Sequence, residues 1–181
     1  MNSSRTETAT LGGGCFWCLE AVFEMVRGVH KVVSGYSGGH VRDPSYEQVC
    51  TGTTGHAEVV QVSFDPEVLP YEELIEMFFA FHDPTTLDRQ GADVGPQYRS
   101  VVFYHSPEQE ETARRVIAKL EAEGVWDRPI VTQVKPFAEF FPAEDYHQGY
   151  YRKNPDAAYC AVVISPKVAR LRREYSSRLK G

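Results

Sequence analysis

Two kinds of hydrophobic pattern alternate along this chain, and their order constrains the fold more than any other feature of the sequence. Patterns typical of β-strands cover residues 6–11, 29–36, 56–64, 98–105, 129–135 and 160–164. Patterns typical of helices begin near Cys15 and end at Gly28, cover 71–82, begin again at Ser106-Pro107-Glu108, and cover 167–179. Only the strands at 29–36 and 56–64 have no helix between them. We therefore predict an α+β domain in which helices pack on a mixed or antiparallel sheet.

Composition predicts one domain that spans residues 1–181. The net charge is −6 and the chain has no block of like charges, so nucleic acid and anionic membranes are poor expectations as partners. The apolar runs are too short to span a membrane, and the N-terminal decapeptide lacks the apolar core of a signal peptide. Four cysteines do not make a secreted disulfide scaffold, so we expect the reducing environment of the cytoplasm. We also expect a monomer. An exported form without its targeting segment would look the same.

The most informative motif is Gly12-Gly13-Gly14-Cys15-Phe16-Trp17-Cys18. Three glycines let the backbone turn tightly into the following helix and leave its first amides free. A cysteine in the first turn feels the positive end of the helix, which favours the thiolate, the form that acts as nucleophile and is oxidised. Cys18 lies three residues on, so both sulfur atoms can share one face of the turn.

Two other interpretations of this cysteine pair stay open. Both residues can be small core side chains of an amphipathic helix, although a plain helix has no use for the glycine run. A structural zinc site usually needs four ligands in two clustered pairs, whereas Cys50 and Cys160 stand alone in the sequence.

A second candidate is Glu58, which follows Gly55-His56-Ala57 at the start of a predicted strand. Residues two apart on a strand share a face, so Glu58 points the same way as Val60 and Val62. If that face is the core, loss of hydration raises the pKa of the carboxyl and keeps it protonated nearer neutral pH. Such a group can act as a general acid beside a thiolate. If the strand begins facing outward, Glu58 is solvated instead.

Tyrosines and one long loop supply further candidates. Tyr46 and Tyr98 are among several tyrosines whose hydroxyl groups can donate hydrogen bonds, although a buried tyrosine is more often a core residue. About fourteen residues of loop precede Tyr98, and loops of this length are often functional. This loop contains Asp93. The stretch from 136 to 155 is aromatic and loop-like, with one short helix near 144–151.

Together these motifs resemble the peptide methionine sulfoxide reductases of the A type. The motifs that carry the resemblance are GGCFW (13–17), GYSGG (35–39), Tyr46 with its surroundings, GTTGHAE (52–58), FDP (64–66), HDPTT (82–86), DRQGADVG (88–95), QYRS (97–100) and PAEDYHQGY (142–150). The resemblance runs over nearly the whole chain. It implies a two-layer α/β sandwich with a ferredoxin-like mixed sheet and a long coiled C-terminal region.

The resemblance also implies a role for each residue that matches a family motif. Cys15 would be the nucleophile and Glu58 the acid. Tyr46 and Tyr98 would donate hydrogen bonds to the sulfoxide oxygen, and Asp93 would help to hold substrate or water.

The implied reaction is the thiol-dependent reduction of methionine-S-sulfoxide, free or in proteins, to methionine. Phe16 and Trp17 would form the pocket for the methyl group on the sulfur. Cys15 would become a sulfenic acid, a second cysteine would condense with it to a disulfide, and thioredoxin would reduce that disulfide. No metal or organic cofactor is implied.

The second cysteine departs from the commonest family pattern. Many members have glycine at the position of Cys18, and their resolving cysteines often lie in the C-terminal tail. We therefore favour Cys160 as the resolving cysteine and keep Cys18 as the alternative. Cys50 is expected to be a structural thiol.

Two other classes of function compete with the reductase. A thioredoxin-like dithiol module would use Cys15 and Cys18, but the glycine run and the strand that carries Glu58 argue against it. A non-catalytic domain whose aromatic cluster binds a peptide would keep its function when Cys15 is replaced by serine.

Overall fold

The computed structural model describes residues 5–180. Residues 1–4 and 181 lie outside the described residues. The prediction of a single domain over 1–181 and the interpretation of the N-terminal decapeptide both include residues of this kind. The elements, in chain order, are β1 (Glu7–Gly12), α1 (Phe16–Phe23), β2 (Val29–Ser37), α2 (Tyr46–Cys50), β3 (Ala57–Phe64), α3 (Tyr71–Ala80), β4 (Arg89–Gln90), β5 (Asp93–Val94), β6 (Val101–Tyr104), α4 (Pro107–Ala122), β7 (Gln133–Pro136), β8 (Phe140–Pro142), α5 (Tyr150–Lys153) and α6 (Ser165–Glu174). Three short 3₁₀ helices (Pro96–Tyr98, Asp145–His147, Ser176–Arg178) and a π-helix (Cys160–Ile164) complete the described chain.

Six strands form one sheet in the order β7-β6-β1-β3-β2-β8. β6 and β7 are parallel, whereas β1, β2 and β3 pair with their neighbours in antiparallel fashion. The remaining two strands, β4 and β5, form a small separate hairpin. The prediction of a mixed sheet in an α+β fold is confirmed.

Helices cover one face of this sheet and bury the main core. Helix α1 lies against β2 and β3, and α4 lies against β6 and β7. The apolar stripe predicted for α1 is buried, and so is almost every other residue of that helix. The other face carries a smaller cluster of Ala57, Val59, Val101 and Phe103. The fold is thus a sheet with one helical layer, and α1 lies at its centre.

The alternation of β3 decides where its side chains point. Val60, Val62 and Phe64 join the main core under the helices, while Ala57 and Val59 belong to the cluster on the opposite face. Glu58 shares the face of Val60 and is 1% exposed. Of the two alternatives that the sequence left open for Glu58, the structure shows the buried one.

The predicted strand at 160–164 is wrong, because this segment is helical. Its residues suit a strand by composition, yet burial follows a helical period: Cys160, Ile164 and Val168 are buried whereas Val162 is 73% exposed. A strand would have placed Cys160, Val162 and Ile164 on one face.

Other boundaries also differ from the prediction. Helix α1 ends at Phe23 rather than at Gly28, and the basic C-terminal helix ends at Glu174. The prediction missed α2, β8 and the β4–β5 hairpin, which are all five residues or shorter. None of the helices among residues 5–180 is long and apolar enough to cross a membrane.

Candidate active site

The glycine run carries the chain from β1 to Cys15 through a space that side chains would block. A Cβ atom at Gly13 would lie 2.9 Å from the His82 ring, and one at Gly14 would lie 2.6 Å from the side chain of Gln90. Gly14 also has a φ of +93°, which other residues rarely adopt. The run therefore brings the backbone close to His82 and sets Cys15 as the N-cap of α1.

Two opposing effects act on the Cys15 thiol. Burial raises the pKa of Cys15 well above its usual value, and the charges of Glu58, Cys18 and Asp93 add to the rise. The backbone N–H of Trp17 lowers the pKa, as expected of a helix start. Burial outweighs this effect, since Cys15 is only 8% exposed, so the preference for the thiolate at a helix start is opposed at this position.

Glu58 lies directly beside the start of α1. Its Oε1 accepts a hydrogen bond of 3.1 Å from the backbone N–H of Phe16, the residue that follows Cys15. Burial raises the pKa of Glu58 to about 8, the charge of Asp93 adds to the rise, and the Phe16 amide opposes it. Its Oε2 has no hydrogen-bond partner within residues 5–180. The raised pKa agrees with the interpretation of Glu58 as a carboxyl that stays protonated nearer neutral pH, and, in the part of the chain that the structure describes, Oε2 is the oxygen left without a protein partner.

Tyr46 and Tyr98 are half-buried and lie near enough to Glu58 for its charge to affect both phenols. Burial raises the pKa of Tyr46 and of Tyr98, and the charge of Glu58 adds to the rise in both cases. The charge of Cys15 also raises the pKa of Tyr98, so this phenol lies near both reactive groups. The Tyr46 backbone is fixed from another direction, because its N–H donates to Glu144 at 2.8 Å. At neutral pH these two phenols keep their protons and can donate them in hydrogen bonds.

Asp93 enters the site from the β4–β5 hairpin within the predicted functional loop. Its Oδ2 accepts a hydrogen bond of 2.7 Å from the Tyr159 hydroxyl. That hydroxyl also lies 3.7 Å from the sulfur of Cys18. The charges of Cys15 and Cys18 both raise the pKa of Tyr159. Tyr159 therefore links the hairpin, the π-helical segment and the first turn of α1.

Aromatic rings surround the first turn of α1. Phe16 is fully buried, and its ring lies 5.2 Å from that of His147. Trp17 is half-buried; its Nε1–H donates to His147 Nδ1 at 3.0 Å, and its ring stacks on Tyr150 at 3.7 Å. Of the two predicted pocket residues, Trp17 is therefore the more accessible, and Phe16 lies behind it in the core.

The remaining cysteines occupy different environments. Cys160 is 0% exposed in the core, and this burial raises the pKa of its thiol. Cys18 is buried in the first turn of α1, beside Tyr159. Cys50, predicted to be a structural thiol, is exposed at the end of α2. All four thiols are free.

Some residues of the site were given no role by the sequence analysis, although Glu144 and His147 lie within the motif at 142–150. Glu144 anchors two elements, since it accepts hydrogen bonds from the Tyr36 hydroxyl and from the Tyr46 amide. His147 and Tyr159 reach α1 from segments without a regular period, so hydrophobic patterns do not place them. Within residues 5–180, no group of three or more His, Cys, Asp or Glu side chains is arranged to hold a metal ion.

Three comparisons relate these features to known proteins. A family model described as peptide methionine sulfoxide reductase matches residues 7–179. A protein of Chromobacterium violaceum, named peptide methionine sulfoxide reductase MsrA, is 58% identical over 174 residues, which are 96% of this chain and 99% of that protein. The crystal structure of reduced Mxr1 from Saccharomyces cerevisiae matches with a TM-score of 0.79 and 35% identity, over 88% of this chain and 91% of that chain. Mxr1 in complex with Trx2 matches with a TM-score of 0.55 and 25% identity, over 82% of this chain and 87% of that chain.

Proposed function

The chain belongs to the peptide methionine sulfoxide reductase family, and from this premise we propose that Cys15 and Glu58 together reduce methionine-S-sulfoxide, free or in proteins, to methionine. One observation carries the assignment: the amide of Phe16, next to Cys15, donates to the buried carboxyl of Glu58. A nucleophilic sulfur and a proton donor therefore lie side by side, as the reaction requires.

The chemistry follows from the protonation of this pair. Both Cys15 and Glu58 have raised pKa values, so each favours its protonated form. The sulfur of a bound sulfoxide carries partial positive charge, which favours the Cys15 thiolate beside it. The thiolate attacks this sulfur and forms a sulfur–sulfur bond while Glu58 protonates the oxygen. The hydroxyl group then moves to the Cys15 sulfur as the substrate's S–O bond and the new sulfur–sulfur bond break, so Cys15 becomes a sulfenic acid and the substrate leaves as the thioether. The thiol proton replaces the one that Glu58 donated.

Hydrogen-bond donors stabilise the charge that develops on the sulfoxide oxygen. Tyr46 and Tyr98 are protonated phenols near the Glu58 carboxyl, so they are suited to donate to an oxygen bound beside it. Asp93 holds Tyr159 over the first turn of α1, which supports a role in positioning substrate or water. Trp17 presents an apolar surface at the same turn, and the methyl group on the sulfur would lie against it.

For the second half of the cycle we propose that Cys160 resolves the sulfenic acid and that thioredoxin reduces the resulting disulfide. Cys160 begins a π-helix, a rare form that often marks functional sites, and this segment packs on α1. Tyr159, the residue before Cys160, contacts Cys18 in the first turn of α1, so the π-helical segment begins next to the turn that carries Cys15. The complex of the related yeast protein with Trx2 supports a thioredoxin as the reductant.

The nucleophile is tested by replacing Cys15 with serine. We expect C15S to lose all reduction of a methionine-S-sulfoxide peptide, because a serine hydroxyl is not ionised and cannot form a sulfenic acid. C50S is the control for the loss of a thiol. Cys50 contacts the Tyr46 hydroxyl rather than acting as the nucleophile, so this variant should keep turnover, at a rate reduced only by the altered Tyr46 contact. Turnover by C15S would contradict the proposed function.

The resolving cysteine is tested by mapping disulfides after one turnover without reductant. Mass spectrometry of the digested protein should find Cys15 joined to Cys160, and C160S should accumulate the sulfenic acid. A bond between Cys15 and Cys18 would instead assign the role to Cys18, which occupies the same helical turn.

We also propose a monomer in a reducing compartment such as the cytoplasm. Every residue assigned to the site comes from one chain, and the cycle consumes a dithiol reductant. Sedimentation equilibrium would test the monomer, and a redox-insensitive fusion tag imaged in the source cells would test the location.

A further inference from the structure

Helix α1 carries a buried carboxyl that the reaction does not use. Glu20 is 2% exposed and lies three residues after Trp17, so both side chains lie on one side of the helix. Buried carboxyls are rare unless their oxygens are hydrogen-bonded or paired. This position therefore calls for a physical explanation.

The partners of Glu20 are backbone amides of the segment that follows the short 3₁₀ helix. The Gly149 N–H donates to Glu20 Oε2 at 2.9 Å, and the Tyr150 amide also donates to this carboxyl. Gly149 has a φ of +66°, so the chain turns at the point that Glu20 holds. The carboxyl thus fixes an irregular segment onto α1.

The same segment holds Trp17. His147 accepts the indole N–H at 3.0 Å, and the Tyr150 ring stacks on the indole at 3.7 Å and 7°. These two side chains flank the amides that Glu20 binds. Trp17 is therefore held at its indole N–H by His147 and on its ring face by Tyr150, and both residues belong to the segment that Glu20 binds.

We propose that Glu20 is a positioning residue that sets the orientation of Trp17 by anchoring the segment from His147 to Tyr150. This inference rests on the proposed function, in which Trp17 forms a wall of the substrate pocket. Glu20 itself touches neither the substrate nor Cys15 in this scheme. Its effect passes through the backbone of Gly149 and the ring of Tyr150.

Burial raises the pKa of Glu20 to about 7, the charge of Glu24 adds to the rise, and the two amides and Arg152 oppose it. An apolar residue would avoid this cost of burial, so the carboxyl matters for its hydrogen bonds rather than for the stability of the core.

The experiment uses the full chain with Trp126 replaced by phenylalanine, which leaves Trp17 as its only tryptophan. In this background, Glu20→Gln keeps the side-chain volume but replaces one acceptor oxygen with an amide that cannot accept a hydrogen bond. We expect acrylamide to quench Trp17 fluorescence at least twofold more strongly. We also expect KM for a methionine-S-sulfoxide peptide to rise ~10-fold, the size of one lost charge-assisted hydrogen bond, with kcat nearly unchanged.

Glu24→Gln is the matched control. Glu24 lies one turn further along α1 and contacts the same region through a bidentate ion pair with Arg152, but it binds neither Gly149 nor Tyr150. This variant should keep the parent values of quenching, KM and kcat. If E20Q and E24Q behave alike, the proposal is overturned.

A second variant tests the anchor from the other end. Tyr150→Leu keeps the backbone amide but removes the stacked ring, so it should raise KM and the quenching of Trp17 even if E20Q fails to fold. Unchanged quenching in either folded variant overturns the positioning role, and so does a fall in kcat with KM unchanged. Because quenching is measured without substrate, these outcomes leave the proposed function to be tested separately through Cys15.

Discussion

The site has two sides that are built in different ways. Cys15 and Glu58 lie on regular elements, the first turn of α1 and the face of β3 that packs under it. Tyr159 and Cys160 lie at the start of a helix whose regular period is interrupted by a π-helical turn, and we call this the irregular side. On the first side, α1 and β3 are joined by the hydrogen bond from the Phe16 amide to the Glu58 carboxyl. On the second side, the Tyr159 hydroxyl contacts Asp93 and Cys18.

This difference corresponds to two demands of the reaction. Attack and proton donation require the Cys15 sulfur and the Glu58 carboxyl to keep a fixed separation, and the interior of a sheet provides it. Resolution by Cys160, as proposed above, would require this buried thiol to reach Cys15, and the π-helical turn interrupts the regular period at that point. We therefore expect changes on the regular side to alter the chemical step, and changes on the irregular side to alter local stability and recycling.

The largest expected effect is that of Glu58→Gln on the chemical step. Glutamine keeps the shape of Glu58 and can still accept from Phe16, but it cannot supply the proton. Loss of a general acid should slow formation of the sulfenic acid by roughly 10²–10⁴-fold. Single-turnover kinetics near neutral pH, followed by a sulfenic acid probe, would measure this rate.

Glu76→Gln serves as the control for this prediction, because Glu76 forms a surface ion pair with Lys119 on helices away from the site. It should leave the rate unchanged. A single-turnover rate for E58Q equal to that of the wild-type protein would remove Glu58 from the role of acid.

The regular side of the site was also the predictable one. Alternation along 56–64 put Glu58 on the same face as Val60 and Val62, although it left open whether that face is the core. The glycine run located Cys15 at a helix start. The resemblance to a family added the roles of Tyr46 and Tyr98, which no periodicity could provide.

The irregular side was predicted poorly. The segment 160–164 has the composition of a strand, and only tertiary burial of Cys160 and Ile164 makes it helical. The balance of effects on the Cys15 thiol was also out of reach, because the sequence shows a helix start but not the depth of burial that outweighs it. Contacts such as that of Glu20 with Gly149 join residues far apart in the chain and leave no local pattern.

The second prediction concerns the cost of burying Glu58. The folded pKa is about 8 and the ordinary value is 4.5, so the folded state holds a proton that the unfolded state loses as pH rises through this window. Stability from this group is therefore present at acid pH and is lost as pH approaches and passes about 8. As pH rises from below 4.5 to about 9, the free energy of unfolding of E58Q should increase relative to that of the wild-type protein by up to ~4 kcal/mol. Urea unfolding of both proteins across this range would show a constant difference if the prediction is wrong.

The third prediction concerns the support behind the glycine run. His82 donates from Nδ1 to the Phe78 carbonyl at 2.6 Å and accepts from the Ser100 hydroxyl at 2.7 Å, so it is buried in the neutral form. Burial lowers its pKa to about 4 from an ordinary 6.5, and the unfolded state therefore binds more protons within this window. Stability should fall by up to ~3 kcal/mol as pH drops from about 6.5 to 4. His82→Gln should show a flatter dependence, measured by urea unfolding, and an equally steep one would contradict this assignment.

The smallest expected effect, and the one that separates the two sides most directly, is that of Tyr159→Phe. It removes the hydrogen bond from the Tyr159 hydroxyl to Asp93, which is charge-assisted and should cost ~1.5–3 kcal/mol of unfolding free energy. Tyr151→Phe is the matched control, since its hydroxyl meets only the neutral Ser165 hydroxyl, and should cost ~0.5–1.5 kcal/mol. Because neither hydroxyl supplies the reacting proton, the single-turnover rate should fall less than tenfold in both variants. A loss of single-turnover rate in Y159F as large as that in E58Q would place Tyr159 among the groups that act on the substrate. The division of roles between the regular and the irregular side would then no longer hold.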